Sequence, residues 1–273
     1  MSFRVQPHNG GFFSCCSVLL ERLVQYFNSN HRLPDSIDTT VGYFDWYKTE
    51  EEKDVDIRTK YFEENNDTVI PYTNTVEYDS GYQFVDYSVL DFAPIMPFIQ
   101  KYFSPSDEIR GIISRMETKY SLDYENTCVI FFRGNDKYTE TALPHYSELY
   151  YSACNVFVNN PNVKFLIQSD ETEFIEFMLA RFPDNSFYFR DEIRHIPRSS
   201  TTVDIAMKSM NAEFSKYFLA ITMIMSKCKY VVCNSGNCSA WIVLFRGNCE
   251  NVQQHLKQQY LYNAGNSNLF EKA

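Results

Sequence analysis

Cys128-Val129-Ile130-Phe131-Phe132-Arg133-Gly134-Asn135-Asp136-Lys137 is an apolar run that ends abruptly in charge. An apolar run of this length and type reads as a buried strand. The polar cluster then falls at the strand's carboxyl end, the edge where open α/β sheets bind ligands. Arginine offers a planar fork of donors suited to phosphate, and glycine lets a backbone come close to a ligand. Arg133 is therefore expected to hold a phosphate, with Asp136 and Lys137 beside the reacting atoms.

Outward from this stretch the pattern alternates. Strand 127–133 leads to helix 144–158, strand 163–168 to helix 171–181, and a strand follows at 186–189. Segment 190–211 carries Pro197 and a Ser/Thr cluster at 199–202, which suits a mobile or ligand-facing loop. Helix 212–226, strand 229–233 and helix 238–246 complete the series. Such alternation predicts a parallel sheet covered on both faces, with right-handed crossovers.

The 273 residues suit one large domain or two ordinary ones, and 44% hydrophobic content is enough for real cores. The formal net charge of −10 argues against nucleic-acid binding by bulk electrostatics. It leaves room for one anionic small molecule on a local cation. Eight cysteines lie mostly in apolar or helical runs without a repeated C-x-x-C pair. Free thiols in a reducing compartment are expected, with no zinc site. No apolar run reaches the roughly 20 residues that span a bilayer, so a soluble cytoplasmic protein is expected.

Towards the N-terminus, a short strand is expected at 3–5. Asn9, Gly10 and Gly11 precede an amphipathic helix over 14–27, with Ser14 or Ser17 as N-cap. A glycine loop entering a helix is either an anion seat or a tight turn. Short strands are expected at 38–46 and 67–72, and a short helix at 98–103. Asp54-Val55-Asp56 follows Glu50-Glu51-Glu52-Lys53 and reads as solvated surface rather than a metal-holding triplet. Ser104 or Ser106 caps the next helix. A domain boundary is expected near 104, which divides the chain into 1–104, 105–250 and a C-terminal helix and tail, 251–273.

Three polar clusters end successive predicted strands: Arg133 to Lys137, Gln168 to Glu171 (including Asp170), and Asn234 to Ser239. In a parallel sheet all three share one edge and frame a crevice. Walker, G-x-G-x-x-G and Gly-x-Ser-x-Gly patterns are absent. Among five histidines, His8 beside the double glycine is the one of interest.

Phe131 to Glu140 resembles the "H-x-R-(R/G)-x-D-K-x-x-(T)-E" segment of the fucosyltransferase superfamily that covers the α1,6-, α1,2- and protein O-fucosyltransferases. Phe165 to Glu171 resembles its "h-h-A-T-D-D" strand end, and Ser226 to Asn237 its "S-x-x-D-x-h-V-x-x-x-S-S" segment. The resemblance covers 127–246, and more loosely 7–28. Phe131 stands where the family has histidine. Ile221 falls near the place of the family's base-reading acid.

This resemblance implies a GT-B architecture, two Rossmann-like domains facing across a cleft. It implies a metal-independent inverting glycosyltransferase that uses a nucleotide-sugar, GDP-fucose first, to modify a glycan hydroxyl. Carried over, Arg133 binds the diphosphate, and Ser235, Gly236, Asn237 and Ser239 contact the nucleotide. Asn9, Gly10 and Gly11 approach the phosphate from the other half. Inverting transfer needs a base for the acceptor hydroxyl and positive charge for the leaving group. Glu140 is the expected base, Asp136 next, and Lys137 tunes either or meets phosphate. No cofactor, nucleic acid or membrane span is implied; a microbial or virus-infected host cytoplasm is. Three alternatives stand beside this reading. One is a non-catalytic nucleotide- or glycan-binding module of the same fold. Another is transfer from a UDP-sugar. The last is an unrelated α/β enzyme of phosphoryl-transfer type.

Overall fold

The computed structural model describes residues 2–257. Its C-terminal half is a parallel α/β sheet. Helix α4 (Asp107–Tyr120) leads into β5 (Thr127–Phe132), α5 (Tyr146–Asn159), β6 (Lys164–Ser169), α6 (Thr172–Arg181) and β7 (Ser186–Phe187). Then come α7 (Val203–Ala206), α8 (Asn211–Lys227), β8 (Tyr230–Asn234), α9 (Asn237–Arg246) and β9 (Val252–His255). The strand order is β7-β6-β5-β8-β9, and all four pairings are parallel. From β5 the chain winds outward to β7, then crosses back to place β8 on β5's other side. That reversal opens a crevice at the carboxyl ends of β5 and β8.

Side-chain alternation sorts the sheet's two faces. Cys128, Ile130 and Phe132 of β5 join Leu149 and Ala153 of α5 and Phe174 and Met178 of α6. Val129 and Phe131 point to the other face, into a larger core that includes Leu219 and Ile224 of α8 and Trp241 of α9. The expected alternation therefore holds element by element, with each end within two residues of its expected place. Residues 252–255, expected to open a C-terminal helix and tail, pair with β8 as a fifth strand; 258–273 lie outside the described residues.

The N-terminal half differs from the expectation of a second Rossmann-like sheet. Parallel strands β1 (Ser2–Arg4) and β2 (Ser36–Asp38) flank α1 (Phe12–Asn30). Then come α2 (Arg58–Tyr61), β3 (Phe62–Glu63), α3 (Phe92–Tyr102) and β4 (Ser104–Pro105), with β3 and β4 antiparallel. The strand expected at 38–46 stops at Asp38, and 67–72 is not a strand. Buried aromatics take the place of ladders. Tyr43, Phe44, Tyr47, Tyr61 and Tyr87, in turns and short helices, and Phe62 of β3 are each at most 1% exposed. Most of the aromatic density in this half is therefore core. The helix expected at 98–103 begins at Phe92, because Pro94 sits in the first turn, where no backbone donor is needed.

α1 carries its stripe at helical spacing: Cys16, Leu19, Leu20, Leu23, Val24 and Phe27 are buried. Its N-cap is Gly11, not Ser14 or Ser17, and the Tyr47 hydroxyl accepts from the Phe12 N–H at 2.7 Å. Helix α4 (Asp107–Tyr120) starts at Ser106, whose Oγ accepts from Ile109 N. It packs on α8, and α1 packs on α9. One continuous core thus runs from Val5 to Leu244. Among the described residues no helix is long and apolar enough to cross a membrane.

Candidate active site

The crevice is a cavity of about 350 Å³, within the range of small-molecule sites. Eight of the residues expected in the site line it: Gly11, Arg133, Asp136, Lys137, Glu140, Asp170, Gly236 and Asn237. They come from the start of α1, the ends of β5 and β6, and the start of α9. Asn9, Gly10, Ser235 and Ser239 do not line it. Ser239 is fully buried, and its hydroxyl donates to the Asn234 carbonyl at 2.6 Å. Ser235 Oγ accepts from Gln254 Nε2 at 2.8 Å. Both serines stabilise the loop instead of facing the cavity. Gly10 packs against His8, whose ring nitrogen meets Ser14 Oγ at 2.9 Å. Burial and the positive charge of Arg22 hold the His8 imidazole below its usual pKa.

Helices α1 and α9 present their N-terminal ends to the cavity from opposite halves. Ser17 joins them: its hydroxyl donates to Asn237 Oδ1 at 3.0 Å and accepts from Trp241 Nε1 at 2.9 Å. Asn237 is thus tied to α1 through its side-chain oxygen. Two positive dipole ends at one place favour an anion.

Arg133 lies at the crevice mouth. Its backbone is clamped by Asn234, and its guanidinium is paired with both Asp136 and Asp170. Asp170 does more than balance charge. Its Oδ1 accepts from Gly134 N at 2.8 Å, and its Oδ2 from Asn135 Nδ2 at 3.1 Å. Asp170 therefore organises the 133–135 turn. A Cβ on Gly134 would run into the buried Glu171 carboxylate and the Phe132 ring, so this position favours glycine.

Lys137 is buried, 4% exposed, with Nζ 2.6 Å from Glu140 Oε2 and 3.2 Å from Gln83 Oε1. Burial lowers its pKa, against the raising effect of Glu140. Glu140 is partly exposed, at 39% of its side chain, and so can reach an incoming hydroxyl.

A second polar group, Arg194 and Asp204, also lines the cavity. Arg194 pairs with Asp204 at 2.9 Å, and the Tyr47 hydroxyl donates to Asp204 Oδ2 at 3.1 Å. Burial, then the nearby Asp204 carboxylate, push the Tyr47 phenol well above its usual pKa. Asn211 Nδ2 donates to the Trp46 carbonyl at 3.0 Å. These bonds pin the 190–211 segment to the N-terminal half. The sequence marks that segment as ligand-facing, but nothing in the local pattern singles out Arg194, Asp204 or Gln83.

The remaining wall is apolar. Phe131 and Ile221, the two departures from the fucosyltransferase pattern, both line the cavity with Phe218 and Met225. Cys238 also lies here, its thiol pushed up to about 12 by burial. All eight cysteines are free thiols. Asp56 of the D-x-D triplet accepts from Thr39 Oγ1, Thr39 N and Arg58 N, a local cap. No group of three or more His, Cys, Asp or Glu among the described residues is placed to hold a metal ion.

No family model and no curated protein matches the chain. Solved structures of the α-1,6-fucosyltransferase NodZ are similar to part of it. One soaked with GDP-fucose has a TM-score of 0.35 and 14% identity, over 57% of this chain and 47% of that one. One co-crystallised with GDP, and one described as from Bradyrhizobium, each have a TM-score of 0.34 and 16% identity, over 57% and 46%. The chain thus spans just under half the length of these structures, a partial likeness of fold at low identity.

Proposed function

We propose that this chain is a glycosyltransferase that takes a nucleotide-diphosphate sugar, GDP-fucose first, and passes the sugar with inversion to a glycan hydroxyl. The observation that carries the reading is the convergence of two helix N-termini and Arg133 on one cavity at the sheet's switch point. Residues 105–250 supply the donor side and residues 1–104 the acceptor side, a reduced form of the two-domain cleft.

In this reading the acceptor oxygen attacks the anomeric carbon as the bond to the diphosphate breaks. Glu140 takes the hydroxyl proton. The departing negative charge passes to Arg133, Lys137 and the N-terminal ends of α1 and α9, with no metal called on. Lys137 Nζ pairs with Glu140 Oε2 at 2.6 Å. A bound diphosphate competes with Glu140 for that ammonium.

One observation favours a second reading, a binding module without turnover. Each charged residue lining the cavity already has an ionic partner, and carboxylates outnumber cations: Asp136, Glu140, Asp170, Glu192 and Asp204 against Arg133, Lys137 and Arg194.

Thermal melting with GDP, UDP, CMP and ATP, with EDTA or Mg²⁺, tests the first reading. A ligand at 100 times its Kd stabilises by about 2.7 kcal/mol. Stabilisation by GDP that EDTA leaves intact is expected, and no response to any nucleotide defeats the proposal. Hydrolysis or transfer of GDP-fucose by wild type, lost by about 10²-fold or more in Glu140→Gln with GDP binding retained, separates the enzyme from the module.

A further inference from the structure

His8 and Ser14 are a pair at the cavity edge that the roles above leave unused. His8 Nε2 lies 2.9 Å from Ser14 Oγ. Ser14 is partly exposed and lines the cavity from the first turn of α1. A Cβ on Gly10 would sit 2.9 Å from His8 Nε2 and 3.2 Å from Ser14 Oγ, so glycine there leaves the space that the pair occupies. The loop fixes His8 through its backbone, since His8 N donates to the Gly42 carbonyl at 2.9 Å.

The surroundings give this pair a chemistry. A hydroxyl within hydrogen-bond reach of an imidazole is the arrangement of an activated nucleophile. Burial and Arg22 keep the imidazole neutral at neutral pH, so in its Nδ1–H tautomer Nε2 accepts the hydroxyl proton. The first amides of a helix have no partner within it. Tyr47 takes the Phe12 N–H, while the N–H groups of Phe13 and Ser14 have no acceptor among the described residues. They lie at the positive end of a 19-residue helix, which is the polarity an oxyanion needs. Phe13 meets Phe218 edge-on, with ring centroids 4.9 Å apart, and both line the cavity. Such a wall suits a short acyl chain.

We propose that Ser14 and His8 form a nucleophile–base pair that cleaves short acyl esters in this cavity, an activity independent of the nucleotide-sugar reading. Ser14 Oγ bonds to the acyl carbon while its proton passes to His8 Nε2. The tetrahedral oxyanion collapses, the ester C–O bond breaks, and the departing alcohol takes the proton from His8. Water then attacks the acyl-serine and gives a proton to His8. The carboxylic acid leaves, and His8 returns the proton to Ser14.

Two probes on the full chain test this. One is a fluorophosphonate, which leaves a phosphonyl group on an activated serine and releases fluoride. The other is p-nitrophenyl acetate. Wild type is expected to carry the adduct on Ser14, located by peptide mass spectrometry, and to hydrolyse the ester. Ser14→Ala should lose the adduct. Ester hydrolysis should fall by about 10²-fold or more in both Ser14→Ala and His8→Gln. His8→Gln keeps Ser14 in place and should slow labelling by about the same factor, which a serine with a structural role alone would not show. It also carries the test if the alanine variant does not fold. No adduct on Ser14 in wild type overturns the proposal. So does labelling at an equal rate in His8→Gln, or unchanged hydrolysis in Ser14→Ala. Melting with GDP reads the nucleotide-sugar proposal separately, so either can fail without the other.

Discussion

The side chain of Asn234 completes the backbone of Arg133. Its Oδ1 accepts from Arg133 N at 2.7 Å, and its Nδ2 donates to Arg133 O at 2.9 Å. Strands β5 and β8 stop pairing one step earlier, at Phe131 and Cys233. The amide thus replaces two ladder bonds where the chains diverge to open the crevice. Asn234 is 1% exposed, so neither bond is exchanged cheaply for water. Asn234→Ala is expected to cost about 2–3 kcal/mol in chemical denaturation and to weaken nucleotide binding. Asn234→Asp keeps the acceptor, loses the donor and should fall between.

Asp136 competes with any phosphate for Arg133. It approaches from within the 135–139 turn, whereas Asp170 is also held by Gly134 N and Asn135 Nδ2. Asp136→Asn removes one negative charge while keeping the shape. It should tighten GDP binding by about three- to tenfold at low salt, with a smaller gain at high salt. Weaker binding in titration calorimetry would show instead that Asp136 helps to position Arg133.

Lys137 is a buried cation kept at a cost. Its folded pKa lies below the unfolded value, because burial outweighs Glu140. Between those two values the unfolded chain binds more protons, so stability rises with pH; below the folded value the full penalty remains. Lys137→Met should lack this rise. Urea denaturation from pH 7 to 10 should show wild type gaining on the variant. Near pH 7 the variant should be as stable or more so, by about 1 kcal/mol, while binding GDP more weakly. A variant markedly less stable at pH 7 would overturn this account.

Gly134 is required by Glu171. A Cβ at that position would displace the carboxylate that accepts from Asn135 N at 3.1 Å and pairs with Arg198 at 2.8 Å. Gly134→Ala is expected to destabilise by about 1–3 kcal/mol and to reduce nucleotide affinity, because Asp170 and Arg133 share the same turn. Thermal melting and calorimetry on one preparation check both effects.

The C-terminal half is legible from sequence because its physics is local and periodic. A run such as Cys128 to Phe132 has to be buried on both faces, and Leu219 to Ile224 repeats at helical spacing. The polar strand ends locate the crevice for the same reason, since parallel strands put their carboxyl ends together. Residues 39–91 are not legible in this way. Tyr47, Tyr61 and Tyr87 are buried by contacts distant in sequence, with Asp204, Ser215 and Ser239 respectively, and no period records such contacts. Residue type placed Arg133, Asp136 and Lys137 at the cavity, and the family resemblance added Glu140. Tertiary structure decided that Arg133 is held by two carboxylates and that Ser235 and Ser239 face the fold. A side chain's direction depends on which strand lies beside it, and that is settled when the chain closes on itself.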